Sequence, residues 1–313
     1  MKKISIIIAV YNIEKYISKC LDSVIKDKSR NIEIIIVDDG STDNSLKICQ
    51  EYQKKDNRIM IIQQKHKGLN AVRNIGFINS TGEYIWHIDG DDYLEDNYID
   101  KLKKYFGKYD IICFNYNRVN GNTKEKIRDS KKYDSIYDKY ILSYVVVWNK
   151  VFNRKLFEKN SFPENCTYND IYVTASLVSK TRKIIFIDEY LYNYVDRKAS
   201  LSYTRPFNLN DYLACLNYVY DKVSHKYPDA ALCYYVNNLA IYNYVKEVQG
   251  INKCDFYKLN KILKNKFPKY YKNKYYNKNL FMKIYIRLIY YDMVFLVKII
   301  TFLKIRIYNK YSK

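Results

Sequence analysis

Tyr84-Ile85-Trp86-His87-Ile88-Asp89-Gly90-Asp91-Asp92 runs from a short apolar stretch straight into three carboxylates within four residues. The apolar half reads as a strand covered on both faces, which puts the acids at its C-terminal end. Carboxylates this close repel one another unless a cation or its equivalent sits among them. Hard divalent ions such as Mn²⁺ and Mg²⁺ take such oxygens together with substrate phosphates. Gly90 leaves out a side chain where something approaches the backbone. On these nine residues alone, an acidic strand-to-helix turn with Asp92 or a neighbour as N-cap reads equally well. The flanking sequence decides between the two.

Upstream, residues 4–10 are a continuous β-branched run, and Asn12 is expected to cap a helix with apolar pairs at Tyr16/Ile17, Cys20/Leu21 and Val24/Ile25. A second buried strand, 32–37, ends in Asp38-Asp39-Gly40-Ser41-Thr42-Asp43, where Ser41 or Asp43 caps the next helix. A strand at 59–62, a helix at 69–79 and a strand at 84–88 follow. Strand-helix alternation of this kind predicts an open, mostly parallel α/β sheet, which binds ligands at the carboxyl ends of its strands. Tyr11-Asn12, Asp38-Asp39 and Asp89 to Asp92 all fall on that edge, so a binding site becomes the favoured reading. Downstream, the pattern predicts a helix at 97–106, a strand at 109–116, and a loop or small β excursion over 117–135. Segments 145–152, 184–187 and 190–195 are β-like, and helical spacing dominates from about 207.

The 313 residues exceed the usual single-domain size, so two domains or one domain with an appendage are expected. Net charge is +21, and residues 253–313 hold sixteen Lys/Arg against two acids, a local balance of +14. Such a tail implies an anionic partner, nucleic acid or a membrane surface. The seven cysteines are widely spaced without a Cys-x-x-Cys pair, which fits a reducing cytosol rather than a disulfide framework or zinc site. Lys2-Lys3 before an apolar run mimics a signal peptide. The run is too short and lacks a small-residue cleavage site, so it reads as a strand. Residues 280–308 are apolar but broken by Lys283, Arg287, Asp292, Lys298, Lys304 and Arg306, which argues against a spanning helix. Two readings stay open for them: a helix lying on an anionic bilayer, or an apolar face packed on the rest of the chain.

Seven ordered motifs resemble the inverting, nucleotide-sugar-dependent family-2 glycosyltransferases with a GT-A fold. They are Ser5-Ile-Ile-Ile-Ala-Val-Tyr-Asn12, Ile36-Val-Asp-Asp-Gly-Ser-Thr-Asp43, Gly68-Leu-Asn-Ala-Val-Arg-Asn74 and Gly82-Glu-Tyr-Ile-Trp-His-Ile-Asp-Gly-Asp-Asp92, then Val147-Trp-Asn-Lys150, Tyr168-Asn-Asp170 and Leu191-Tyr-Asn-Tyr-Val-Asp-Arg-Lys-Ala-Ser200. They cover residues 4–204. The resemblance implies a Rossmann-like, mostly parallel sheet with helices on both faces in a catalytic domain over 1–204, followed by a helical, basic region over 205–313.

Carried over by position, it implies that Ala9 and Tyr11 line a nucleobase pocket, with Tyr11 stacking on uracil and Asp39 accepting from the base N3–H. Asp38 shapes the same turn, and Arg73 faces the base or diphosphate. Asp91 contacts ribose or metal, Asp92 binds Mn²⁺ or Mg²⁺ on the diphosphate, and Asp89 supports them. Asp170 is the general base; Lys150, Arg197 and Ser200 lie near acceptor and diphosphate. His87 is structural. Asn169 and His66 depart from the family pattern, which usually has Glu and Asn there. The implied activity is transfer of a hexose or N-acetylhexosamine from a UDP-sugar to a glycan or lipid-linked acceptor for a surface polysaccharide, in the cytoplasm or peripherally on the inner membrane face. A sugar nucleotidyltransferase would need an early Gly-rich phosphate loop, which Val10-Tyr11-Asn12 is not. A nucleic-acid-binding role is disfavoured, because the charge excess lies outside the motifs. A non-catalytic member remains an alternative on the strength of Asn169 and His66.

Overall fold

The computed structural model describes residues 3–128, 133–143, 146–159, 161–164, 166, 168–197, 208–243 and 255–311. Ser200 and residue 145 of the 145–152 segment lie outside the described residues. The chain divides into two compact units, Met1–Pro206 and Phe207–Lys313.

In the first unit the strands are β1 (Ile4–Val10), β2 (Ile32–Asp38), β3 (Ile59–Gln63), β4 (Tyr84–Asp89), β5 (Tyr93–Leu94), β6 (Ile111–Asn120), β7 (Thr123–Ile127), β8 (Lys150–Asn153) and β9 (Ile184–Val195). The helices are α1 (Ile17–Ile25), α2 (Ser45–Lys55), α3 (Leu69–Ile78), α4 (Tyr98–Lys103), α5 (Ile136–Leu142) and α6 (Asn169–Ser179). Among the described residues the strands form one mixed sheet in the order β3-β2-β1-β4-β8-β6-β9-β5, with β7 on β6. β3, β2, β1 and β4 pair in parallel, whereas β8 joins β4 antiparallel.

Side-chain alternation explains why helices cover both faces. Ile4, Ile6 and Ile8 of β1 share a core with Ile17, Cys20, Leu21 and Val24 of α1 and Cys49 of α2. The next residue along points the other way: a Cβ on Gly76 of α3 would lie 2.3 Å from the Cγ2 of Ile7. Two-sided burial is what the unbroken β-branched run required.

Parallel register brings the strand ends into one line. Ala9 stands opposite Asp89 on one side and Val37 on the other, and Val10 opposite Asp38. The three polar clusters therefore meet at one sheet edge.

Two expectations change. Asn12 is not an N-cap: its φ of 50° is left-handed, and its side chain accepts from Thr42 N–H at 2.8 Å, joining the β1 and β2 turns. Asp43, by contrast, does accept from Ser45 N–H at 2.9 Å at the head of α2. The segments 184–187 and 190–195 are one strand, β9, with bulged register against β6.

The second unit contains α7 (Leu209–Val223), α8 (Pro228–Val236) running into a π-helical turn (Asn237–Tyr242), α9 (Phe256–Lys266), α10 (Lys274–Asn277), α11 (Leu280–Tyr290) and α12 (Val294–Tyr311). Side-chain caps start α7 (Asn208), α9 (Asp255) and α11 (Asn279), each accepting from backbone N–H groups of the first turn. Among the described residues no helix is long and apolar enough to cross a membrane.

Candidate active site

The acidic turn is built by close backbone contact. Gly90 N–H donates to Ala9 O at 3.1 Å, and a Cβ on Gly90 would sit 2.7 Å from that same oxygen. Only glycine permits this approach. Asp92 N–H then closes the turn on Asp89 O at 3.0 Å.

The three carboxylates point to different partners. Asp92 is turned inward: it accepts from the Tyr192 hydroxyl at 2.7 Å and from Val195 N–H at 2.7 Å, both on β9. Tyr192 Oη also accepts from Asp89 N–H at 3.1 Å, so one hydroxyl grips the turn at two points. Asp91 is paired with the Arg197 guanidinium, which also lies over the Tyr16 ring. Asp89 accepts from Arg73 Nη2 at 3.1 Å, and its side chain is 27% exposed against 16% for Asp91.

Asp92, expected from the sequence to be a metal ligand, is 3% exposed, and each of its oxygens accepts one bond from β9. Burial, then repulsion from Asp91 and Asp89, holds its carboxyl well above the usual carboxylate range. Burial first, then repulsion from Asp91 and Asp170, pushes Asp89 up to about 6 against the opposing pull of Arg73. Among the described residues no three His, Cys, Asp or Glu side chains converge as a ready metal site.

Arg73 is the centre of the site. It is 2% exposed, and its two terminal nitrogens bridge Asp89 and Asp170. Burial alone would weaken its hold on the proton, but Asp170 and Asp89 together raise it above the usual value. Its own helix fixes the loop that carries Asp170. Asn74 exchanges two bonds with the Phe162 backbone, at 2.7 and 3.0 Å. Asn70 donates to Pro163 O at 2.6 Å and Cys166 O at 2.9 Å, and accepts from Asn169. Asn169 thus serves the scaffold under Asp170. Although Asp170 stands in the first turn of α6, its carboxylate takes Arg73 and Val147 N–H (3.3 Å) rather than capping that helix.

At the other end of the edge, Asp38 and Asp39 are both 2% exposed. Asp38 accepts from Ser41 N–H at 3.2 Å, and its Oδ1 has no partner among the described residues. Asp39 organises the β3–α3 loop, accepting from Lys67 N–H at 2.9 Å, Gly68 N–H at 2.8 Å and the Gln64 amide at 2.5 Å. His66 Nδ1 lies 2.9 Å from the same carboxylate. Tyr11 stands exposed beside Ala9, its ring stacked on His66 at 4.2 Å.

The family model for glycosyl transferase family 2 matches residues 5–161. The chain belongs to glycosyl transferase family 2. It is 36% identical over 218 residues to the glycosyltransferase GlyA of Streptococcus pneumoniae, covering 64% of this chain and 31% of GlyA. It is 31% identical over 226 residues to GlyG of the same organism, covering 64% of this chain and 73% of GlyG. The fold is similar to that of S. aureus TarS 1-349 in complex with UDP-GlcNAc, with TM-score 0.65 and 21% identity, covering 75% of this chain and 73% of that one. This chain thus spans about a third of GlyA's length.

Of the residues assigned from this family's motifs, Ala9, Tyr11, Asp38, Asp39, Arg73, Asp91, Asp92, Asp170 and Arg197 come together around the ends of β1, β2 and β4. Lys150 does not reach solvent. It is 1% exposed, donates to Val146 O at 2.8 Å and Asn149 Oδ1 at 2.6 Å, and burial pushes its pKa down to about 8.

His87 is buried edge-on to Phe157 and Phe162, with neither ring nitrogen bonded among the described residues. Burial, then the Arg73 charge, holds it far below its usual value, so it stays neutral. Sequence reasoning missed Tyr192, Asn70 and Asn74. Tyr192 was hidden among 37 tyrosines. The two asparagines share a helical face with Arg73, at i and i+4 spacing, and that spacing was the available signal.

Proposed function

We propose that this chain is an inverting transferase that moves a hexose or N-acetylhexosamine from a UDP-sugar to a glycan or lipid-linked acceptor, in the building of a surface polysaccharide. The observation that carries the proposal is the Asp89–Arg73–Asp170 bridge at the C-terminal edge of the sheet. In a single displacement the acceptor oxygen attacks the anomeric carbon as the bond from that carbon to the diphosphate oxygen breaks. The acceptor proton passes to a carboxylate. Asp170 is assigned that proton, because its carboxylate is free of its own helix and held in orientation by Arg73 and Val147 N–H. TarS, similar in fold, has been crystallised with UDP-GlcNAc and with UDP, which supports a UDP-sugar as donor class.

A divalent cation, Mn²⁺ or Mg²⁺, suits this donor set. Asp89, Asp91 and Asp170 share two guanidiniums while Asp92 has neither, and burial followed by repulsion from Asp91 and Asp170 raises Asp89 despite Arg73. Asp91 and Asp89 would hold the ion with phosphate oxygens, while Asp92 fixes the turn. Bound there, it would neutralise charge on the departing diphosphate as a Lewis acid.

The acceptor is assigned to an anionic membrane surface. Support comes from exposed Leu280, Ile284, Phe295, Ile299, Phe302 and Leu303 on α11 and α12, within a segment of net charge +14. A panel of UDP-sugars assayed for UDP release with Mn²⁺ tests the donor assignment. Release from one or a few sugars, abolished by EDTA and by Asp91→Asn, is expected. Release from none of them with the cation present would contradict it.

A further inference from the structure

An exposed aromatic face with a buried carboxylate acceptor at its rim selects a flat ring that carries an N–H on its edge. Tyr11 and Asp39 make such a pair, and a side chain of the protein already satisfies both. The His66 imidazole stacks on Tyr11 with ring centroids 4.2 Å apart and planes 24° from parallel. The same ring turns Nδ1 to the Asp39 carboxylate at 2.9 Å.

We propose that His66 is a stand-in for the nucleobase, which must swing out before a base can bind, and that it thereby sets the affinity of the nucleotide pocket. This rests on the reading of Tyr11 and Asp39 as the base site. Observations on the loop carry it. The Asp39 side chain is 3% exposed whereas His66 is 57% exposed, so the imidazole is the outermost partner of a carboxylate otherwise closed to solvent. The other three donors to Asp39 are two backbone N–H groups and the half-buried Gln64 amide, which shape the β3–α3 loop and stay in place. The backbone on either side of His66 is held as well, by Gln64 N–H donating to Asp38 O at 3.0 Å and Lys67 N–H to Asp39 at 2.9 Å. Gly40, with φ +75°, lets the His66 amide come so close that a Cβ there would lie 3.1 Å from His66 N. The exchange is therefore a rotation of one exposed side chain over a fixed loop. A base that stacks on Tyr11 and donates its N–H to Asp39 replaces both imidazole contacts in one step.

A pocket filled by its own side chain binds ligand in proportion to the fraction of time it stands open. Removing His66 should therefore tighten binding, where removal of a ligand-contacting residue would weaken it. The gain should be the same for uridine and for UDP, because the diphosphate lies outside the exchange.

The test is calorimetric titration of the full chain, wild type and His66→Ala, with uridine and with UDP, alongside Tyr11→Ala and Asp39→Asn. His66→Ala is expected to bind both ligands about five- to tenfold more tightly, the scale of one net intramolecular hydrogen bond. In parallel, the His66 ring proton signals of the wild type, identified by their loss in His66→Ala, should move out of the Tyr11 ring current as uridine is added. Equal or weaker uridine binding by His66→Ala, or His66 signals that stay in place at saturation, overturns the proposal. If Tyr11→Ala and Asp39→Asn leave uridine binding unchanged, the base-site reading itself fails and the stand-in falls with it.

Discussion

Arg73 shows how one buried charge can organise a site. Its guanidinium is out of solvent and holds Asp89 with one nitrogen and Asp170 with another. Removing one partner of such a group leaves uncompensated buried charge, which costs more than the pair itself contributes. Arg73→Met should lower unfolding free energy by about 3–5 kcal/mol in urea titrations. A change below about 1 kcal/mol would place Arg73 among ordinary surface pairs.

Lys150 makes a pH prediction. Its ammonium titrates near the usual 10.5 when unfolded and near 8 when folded. Between those values the unfolded chain binds more protons, so the stability contributed at this site rises with pH from about 8 to about 10. Below pH 8 the folded state carries the cost of the buried cation. Lys150→Met should remove that rise when unfolding is compared at pH 7.5 and 9.5. An unchanged slope would contradict the assignment. Lys150 was read from the sequence as a site cation because a Trp-Asn-Lys string carries no record of burial. Asn12 was misread for a related reason. An Asn side chain can cap a helix or bridge a turn, and the left-handed φ that selects the bridge is not visible in composition.

At the scale of elements, the strands were legible wherever both faces are covered. β1, β2 and β4 are mostly β-branched or aromatic, and their burial leaves little choice of register. β9 was harder to read. Asp188-Glu189 interrupts its pattern where the register against β6 shifts, so one strand read as two. Yet β9 supplies the grip on the acidic turn through Tyr192 and Val195, with Trp148 stacked on Tyr192 at 4.6 Å. Tyr192→Phe should cost about 1–3 kcal/mol, since it leaves a buried Asp92 oxygen and the Asp89 amide short of a partner. Thermal unfolding checks the loss, and donor binding should weaken with it if the turn loosens.

In the second unit, α11 and α12 show apolar side chains to solvent. Phe295→Glu with Phe302→Glu should abolish co-sedimentation with phosphatidylglycerol vesicles while leaving circular dichroism unchanged. Equal sedimentation of the variant would remove the membrane from the account.

For the whole molecule, charge and chemistry occupy different stretches of the chain. The recognisable motifs end near residue 204, while two-thirds of the +21 net charge lies beyond residue 252. That separation made the reaction class legible and left the acceptor to surface physics. The family model matches only residues 5–161, which include the acidic turn and end before Asp170 and Arg197. Those two residues were found because their motifs kept order, and the sheet brings them back to the same edge.

The central claim is that Asp170 takes the acceptor proton in a site assembled around Arg73. Asp170→Asn keeps the size of the side chain and removes its basicity, so transfer and binding can be separated. With the donor that supports UDP release, single-turnover transfer should fall by about 10²–10⁴-fold, while the Kd for UDP stays within about twofold of wild type. Transfer at the wild-type rate would contradict the account, and loss of UDP binding along with transfer would make Asp170 a structural residue.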